Sequence, residues 1–141
     1  MKLASEWKQI LAGRAPSASV TRIAGRGGAP TLKVDGIFLH SRYNPEEEAQ
    51  RLVDSAEINP KRPVFVAGVG MGYHVQELRA RGIDVAAVDP DPGVARFALD
   101  GPLAALDFPL ALGAPEEWAE SGPFRAFAAR VPQVLIHTPP A

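Results

Sequence analysis

The sequence predicts an α/β fold with a mostly parallel sheet, flanking helices and a small N-terminal antiparallel element. From residue 63 onward, segments of helical periodicity separate four short apolar runs, VFVAGVG, VAAVDP, PLALGA and VLIHTPP. Strands that are buried on both faces of a sheet have this continuous apolar character. Strands that alternate with helices form parallel sheets through right-handed crossovers. The order of elements is therefore Rossmann-like.

The first 36 residues predict a helix and two antiparallel strands. Apolar residues recur at helical spacing from Leu3 to Leu11. Residues 19–24 and 30–34 have strand character on either side of the turn-rich GRGGAP, and the turn pair Asp35-Gly36 precedes the apolar IFLH. We expect this part to form a small antiparallel unit.

The length of 141 residues predicts a single Rossmann-like domain. Within it we assign residues 1–36 to the N-terminal helix and antiparallel strands, and residues 37–141 to a nucleotide-binding-like core. Hydrophobic residues make up 46% and charged residues 22% of the chain, which is typical of a soluble globular protein.

Charge and cysteine content exclude several classes of function. Fifteen basic and sixteen acidic side chains give a net charge of −1, so no strong field steers the chain toward nucleic acid or an anionic membrane. No apolar run approaches the ~18 residues of a membrane span. Without cysteine the chain has no disulfide framework or thiolate nucleophile, which suits a reducing compartment. We expect a cytoplasmic protein with no membrane or nucleic-acid partner.

A glycine-rich loop follows the strand VFVA and carries Gly68, Gly70 and Gly72 before a helix over 73–81. Glycine lets the backbone turn sharply and approach a ligand, whose polar groups can meet the free amides at the helix start. The next strand ends at Asp89, twenty-one residues after Gly68, where a carboxylate can accept hydrogen bonds from ribose hydroxyls. Together they predict a site for a small nucleotide-like ligand.

The spacing of the glycines in the loop limits the classes of ligand that it could bind. Tyr73 stands where the dinucleotide pattern needs its third glycine, which disfavours NAD. The G-x-G-x-G loop resembles the first motif of class I methyltransferases, and Asp89 matches their second, so the resemblance implies S-adenosylmethionine or a nucleotide. In the alternative interpretation the glycines only allow close helix–strand packing, and Asp89 caps the helix that starts near Asp91.

A second resemblance covers residues 30 to 140. The runs LHSRYNPEEEAQRLV, VFVAGVGMGYHVQEL and VDPDPGVARFAL resemble, in order and spacing, the Rossmann-like region of the motility accessory factor proteins. These are flagellin-modifying glycosyltransferases, and the wider family includes archaeal 6-hydroxymethylpterin diphosphokinases. The most specific pieces are His40–Pro45 and Gly70–His74, which ordinary methyltransferases lack.

This resemblance implies a ligand-binding part of a transferase rather than a complete enzyme. Family members are usually several hundred residues long, whereas this chain stops near Thr138-Pro139-Pro140. If the chain is enzymatic, we expect a transferase, either a methyltransferase or a glycosyltransferase-associated protein. A small S-adenosylmethionine-dependent methyltransferase and a degenerate Rossmann module used for assembly remain alternatives.

Polar residues near the loop complete the candidate site. His40, His74 and His137 lack metal-ligand spacing and an adjacent carboxylate cluster, so we expect no metal. We assign His40 and His74 hydrogen-bonding or packing roles near the loop, with proton transfer as an alternative. Arg42, beside Tyr43, could hold a phosphate or carboxylate bidentately or lie in solvent.

The helix after these residues has Asn44 as its cap, Pro45 at its first position and Glu46 to Glu48 in its first turn. We expect it to end near Asn59-Pro60. The acidic triplet is interpreted as a solvated helix start.

The doubly wound order places the ligand crevice at the carboxyl ends of the first and fourth parallel strands. The glycines at 68, 70 and 72 are then expected to face His137 and Thr138. Amino-methyltransferases carry an Asn/Asp-Pro-Pro-aromatic motif at this place, and its absence here argues against amino-group methylation.

The fourth strand, residues 134–136, is expected at the edge of the sheet, where its unpaired backbone groups invite another strand. We expect it to be covered by the N-terminal antiparallel piece or by a second copy in a two-fold homodimer. Alternatively, the sequence is a fragment of a longer protein and the edge is open.

Overall fold

The computed structural model describes residues 1–14, 20–25, 29–41 and 43–137. Two sheets and five α-helices make up this part of the chain. In chain order the elements are β1 (Lys2–Leu3), α1 (Ala4–Ala12), β2 (Val20–Ala24), β3 (Pro30–Val34), β4 (Ile37–Phe38), α2 (Pro45–Ser55), β5 (Val64–Ala67), α3 (Tyr73–Ala80), β6 (Val85–Asp89), α4 (Pro92–Asp100), β7 (Pro109–Leu112), a 3-10 turn (Pro115–Glu117), α5 (Gly122–Ala128) and β8 (Gln133–Ile136).

The larger sheet has five strands in the order β1-β7-β6-β5-β8. The last four are mutually parallel, and β1 joins β7 in the antiparallel sense. This arrangement confirms the predicted α/β, Rossmann-like fold. Because β5 lies between β6 and β8, the chain reverses its direction of travel across the sheet next to β5. Ligands of such folds bind at the carboxyl ends of the strands at this reversal.

The smaller sheet is the antiparallel unit β2-β3-β4. Asp35 and Gly36, with φ of 49° and 84°, form the predicted turn between β3 and β4. Two consecutive positive φ angles match the twist that a two-residue hairpin requires. The first strand of the chain, β1, belongs instead to the larger sheet.

The helix α2 ends at Ser55, earlier than the predicted end near Asn59-Pro60. Glu57 has a φ of 53°, and a residue in the left-handed region closes the last turn of a helix. In the ranges that the structure describes, no helix is both long and apolar enough to cross a membrane.

Two apolar clusters hold the fold together. The main one lies around the larger sheet, where the fully buried Val64, Val66 and Leu110 contact residues of the flanking helices. The second lies beneath the smaller sheet and comprises Val20, Leu32, Ala49, Met71, Tyr73 and Val94. Because Met71 and Tyr73 adjoin the glycine loop, this cluster anchors the smaller sheet beside it.

The strand β8 lies at an edge of the larger sheet, as predicted. Its Val134 and Ile136 side chains are 62% and 64% exposed. The expectation that the N-terminal piece covers this strand is wrong for the described residues. The smaller sheet forms a separate unit, and β1 covers the opposite edge, where Ala4 at the start of α1 donates its amide to the carbonyl of Phe108.

Candidate functional site

The glycine loop, residues 68–72, joins β5 to α3 at the carboxyl edge of the larger sheet. Gly70 has a φ of 55° and Gly72 a φ of 95°, both in the left-handed region that favours glycine. A Cβ atom at Gly70 would lie 2.5 Å from Nε2 of His40, and one at Gly72 would lie 2.5 Å from Cγ of Leu103. Both positions therefore require glycine for backbone conformation and for close packing.

The glycines of the loop contact two different parts of the protein. A Cβ at Gly68 or Gly70 would contact His137, at 3.3 Å from its Cβ and 3.1 Å from its Cε1 respectively. Gly68 and Gly70 therefore face His137, the neighbour predicted for them, and lie in direct contact with it. Gly72 instead packs on Leu103 of the main core, so for this residue the packing interpretation holds.

Asp89 ends β6 beside the loop and is buried. Its Oδ2 accepts hydrogen bonds from the amides of Val69 at 2.9 Å and Gly70 at 3.4 Å. Its Oδ1 accepts from the amide of Asp91 at 2.9 Å. Burial raises the pKa of the Asp89 carboxyl above its ordinary value, although these three amides oppose the rise. The cap of α4 is Asp91, whose side chain accepts from Gly93, and not Asp89.

His40 holds the other side of the loop. Its Nε2 accepts a hydrogen bond of 2.8 Å from the amide of Met71, and its backbone carbonyl accepts from the hydroxyl of Thr31. Its Nδ1 lies 3.7 Å from Oε1 of Glu48, which also accepts from the amide of Ser41. His40 is completely buried between the smaller sheet and the loop.

Every amide of the glycine loop therefore has an acceptor within the protein. The amides of Gly68 and Gly72 donate to backbone carbonyls, and the three amides between them donate to Asp89 and His40. In this conformation the amides of loop residues 68–72 are therefore not free for a ligand. A ligand that uses these amides must replace Asp89 or His40 as their partner.

The three histidines meet in what we call the histidine cluster: His40 before α2, His74 in the first turn of α3 and His137 directly after β8. One ring nitrogen from each lies within 4.8 Å of those of the other two. The ring of His40 stacks on that of His137 at 4.6 Å, and the rings of His74 and His137 are 4.4 Å apart. The expectation of no metal rested on sequence spacing and on the lack of a neighbouring carboxylate cluster, and the folded arrangement removes the first of these two grounds.

Two members of the histidine cluster, His74 and His137, are uncharged at neutral pH. Burial, with the neighbouring His137 and His40, lowers the pKa of His74 to about 3. Burial and His40 lower the pKa of His137 to about 4. Three ring nitrogens in the described ranges are buried without a hydrogen-bond partner, namely Nδ1 of His40 and both nitrogens of His74. Neutral imidazoles with free lone pairs can accept a proton, a hydrogen bond or a metal ion.

The remaining predicted site residues are Tyr43, Arg42 and Thr138. Tyr43 is exposed and lines a surface cavity of about 340 Å³ with Asn44, Glu47 and Arg51, among others. Arg42 and Thr138 lie outside the described residues.

Glu48 is the site residue that the sequence analysis missed. The acidic triplet was interpreted as solvated, but the Glu48 side chain is 28% exposed and directed toward His40. The helix pattern does indicate an inward position for Glu48. Leu52 lies four residues later, on the same helix face, and packs against the main core. Glu48 therefore lies on the side of α2 that faces the protein.

No protein-family model matches the chain. An uncharacterized protein of Methanocaldococcus jannaschii is 27% identical over 75 residues, which are 52% of this chain and 26% of that protein. An uncharacterized protein of Treponema pallidum is 41% identical over 61 residues, 41% of this chain and 20% of that protein. The chain thus spans only 26% and 20% of the length of these two curated relatives.

Among solved structures, the chain is similar to the MAf glycosyltransferase from Magnetospirillum magneticum AMB-1, with a TM-score of 0.60 and 11% identity. The similarity covers 96% of this chain and 30% of that protein. MnmC2 from Aquifex aeolicus has a TM-score of 0.44 and 16% identity, over 78% of this chain and 47% of that one. The first likeness supports the α/β fold. Membership of the motility accessory factor family stays a prediction.

Removing the Asp89 carboxylate should destabilise the fold. Asp89→Ala leaves buried amides of the loop without an acceptor, so we expect the free energy of unfolding to fall by about 1–3 kcal/mol. Urea unfolding followed by circular dichroism measures this change. The control is Asp84→Ala at the other end of the same strand, where an exposed ion pair with Arg130 contributes about 0–1 kcal/mol. Equal losses in both variants would contradict the role given to Asp89.

Proposed function

We propose that the chain is a nucleoside-binding domain of a transferase-type protein, with S-adenosylmethionine or a nucleotide as its ligand. The observation that carries the proposal is the contact between Asp89 and the glycine loop at the carboxyl edge of β5 and β6. Glycine loop and acid lie where Rossmann-like folds bind the phosphate or ribose of their ligands.

The carboxylate of Asp89 can accept hydrogen bonds from the hydroxyls of a ribose. An ionised carboxylate offers about four acceptor positions, and three of them take backbone amides here. Two ribose hydroxyls need two positions, so a nucleoside would replace at least one amide. The 3.4 Å contact with Gly70 is the longest of the three and is the one we expect to be exchanged.

The ligand would also have to move a histidine ring. Rings of His40 and His137 lie over the face of Gly70 that a ligand would approach. His40 is buried completely, whereas His137 is only half-buried and follows the edge strand β8. We expect His137 to swing aside and its ring to stack or hydrogen-bond with the bound ligand. His74, behind them, would keep its place.

The likeness to part of the MAf glycosyltransferase favours a role inside a transferase. The sequence runs around His40, Gly70 and Asp89 resemble the motility accessory factor proteins. This resemblance also favours a role inside a transferase. We propose that this chain supplies the ligand-holding part, and we assign it no bond-making step of its own.

Ligand binding can be tested with S-adenosylhomocysteine and CMP. We expect one of them to raise the melting temperature and to bind with 1:1 stoichiometry by calorimetry. Asp89→Asn removes the charge from the ribose contact, so affinity should fall ~10- to 150-fold, the equivalent of about 1.5–3 kcal/mol. Asp84→Asn, at the far end of β6, should bind as the native protein does.

Two results would contradict the nucleoside proposal. The first is the absence of binding heat and of a melting shift for every nucleoside tested with folded native protein. The second is unchanged affinity in Asp89→Asn, which would place the ligand elsewhere.

A second candidate function, an assembly module, is favoured by the edge strand β8. Its side chains Val134 and Ile136 are both more than 60% exposed, and no strand of the described residues pairs with its outer edge. Such an edge offers unpaired amides and carbonyls to another strand. We propose that a second copy of the chain pairs with it around a two-fold axis.

Light scattering tests this assembly. The double variant Val134→Lys with Ile136→Lys should be monomeric, because lysine on an edge strand opposes pairing, while the native chain should be dimeric. Ile37→Lys is a matched control, since Ile37 is 58% exposed on a strand of the smaller sheet. A native chain that stays monomeric, or a double variant that still dimerises, would overturn the proposal.

A further inference from the structure

We propose that the histidine cluster, His40, His74 and His137, is a binding site for one divalent transition-metal ion of the zinc type. Three imidazole nitrogens are the ligand set that open, catalytic-type zinc sites use, and imidazole also suits cobalt, nickel and copper. This inference does not depend on nucleoside binding, because it needs only the three side chains and the ion.

The geometry brings the ligand atoms close to coordination distance. One nitrogen of each ring lies within 4.8 Å of the others. Tetrahedral zinc with Zn–N distances of about 2.0–2.1 Å holds its ligand nitrogens roughly 3.4 Å apart. The ligand nitrogens therefore need to approach one another by up to about 1.4 Å. His137 lies at a strand end and is half-buried, so its side chain has room for this movement.

An independent observation points to a ligand at this place. Both ring nitrogens of His74 are buried without a hydrogen-bond partner, and His74 is 1% exposed. Buried polar atoms in proteins almost always have a partner, and those that lack one call for an explanation such as a bound ion. The His74 ring centroid lies 5.3 Å from that of His40 and 4.4 Å from that of His137.

Neighbouring groups orient two of the rings as metal ligands. Nε2 of His137 lies 2.8 Å from the carbonyl of Leu39 and can donate to it, which leaves Nδ1 for the ion. The carboxylate of Glu48 lies 3.7 Å from Nδ1 of His40 and would keep that nitrogen protonated. The other nitrogen, Nε2, would then bind the ion and give up its hydrogen bond from the amide of Met71. Carboxylates and carbonyls in this outer position fix the tautomer of metal-bound histidine.

Three protein ligands leave the fourth position of a zinc-type ion to water or to an oxygen of another molecule. The site lies beside Gly68 and Gly70, at the carboxyl ends of β5 and β8.

Cobalt and zinc ions themselves serve as probes, with protein prepared without a histidine tag. The chain contains three histidines and no cysteine, so every imidazole of the native protein belongs to the cluster. We expect one Co²⁺ per chain with visible d–d bands, displacement by Zn²⁺, and three imidazole ligands in the X-ray absorption spectrum of the zinc form.

Variants distinguish the histidines that bind the ion from Glu48, which only positions His40. His137→Gln should weaken Co²⁺ binding by more than about 100-fold, because it removes a ligand. Glu48→Gln should weaken it roughly 10- to 100-fold through His40, with three imidazoles still bound. Glu47→Gln, whose carboxylate pairs with Arg51 on the same helix, should leave Co²⁺ affinity unchanged.

Native protein without Co²⁺ bands at a tenfold excess of the ion would overturn the proposal. So would fewer than three imidazoles around zinc, or undiminished binding by folded His137→Gln. If that variant does not fold, the imidazole count in the native protein decides the question alone.

Discussion

The hydrogen bonds that hold the glycine loop are the interaction on which the rest of this structure depends. Asp89 and His40 accept the amides of Val69, Gly70 and Met71, from opposite sides of the loop. A loop with left-handed glycines has no regular partners for its amides, and buried amides without acceptors are costly. Two side chains from distant parts of the sequence therefore fix the turn from β5 into α3.

The same contacts explain why the small N-terminal sheet is part of the site. It supplies the hydroxyl of Thr31 to the carbonyl of His40, and the carbonyl of Pro30 to the hydroxyl of Tyr73. Burial raises the pKa of Tyr73 to about 12, so this hydroxyl stays a donor at neutral pH. The smaller sheet is thus tied both to His40 and to the helix that follows the loop.

Features set by local backbone chemistry could be predicted from the sequence. The order of strands and helices, the glycine loop and the position of Asp89 all follow from short-range patterns. The meeting of His40, His74 and His137 could not be predicted by spacing, because it requires the smaller sheet, α3 and the end of β8 to be packed together. The role of Glu48 depends on the same packing. The expected cover of β8 by the N-terminal piece is wrong for the described residues, because β2-β3-β4 form a separate sheet and β1 pairs at the other edge of the larger sheet.

The central claim is that the glycine loop with its acceptors is the functional site. A nuclear magnetic resonance titration with S-adenosylhomocysteine and CMP tests it most directly, by following the backbone amides. The account predicts saturable shifts that are largest at Val69, Gly70 and Met71, as a ligand takes over from Asp89 or His40. Shifts confined to residues of the Tyr43 surface cavity, with the loop amides unmoved, would contradict it.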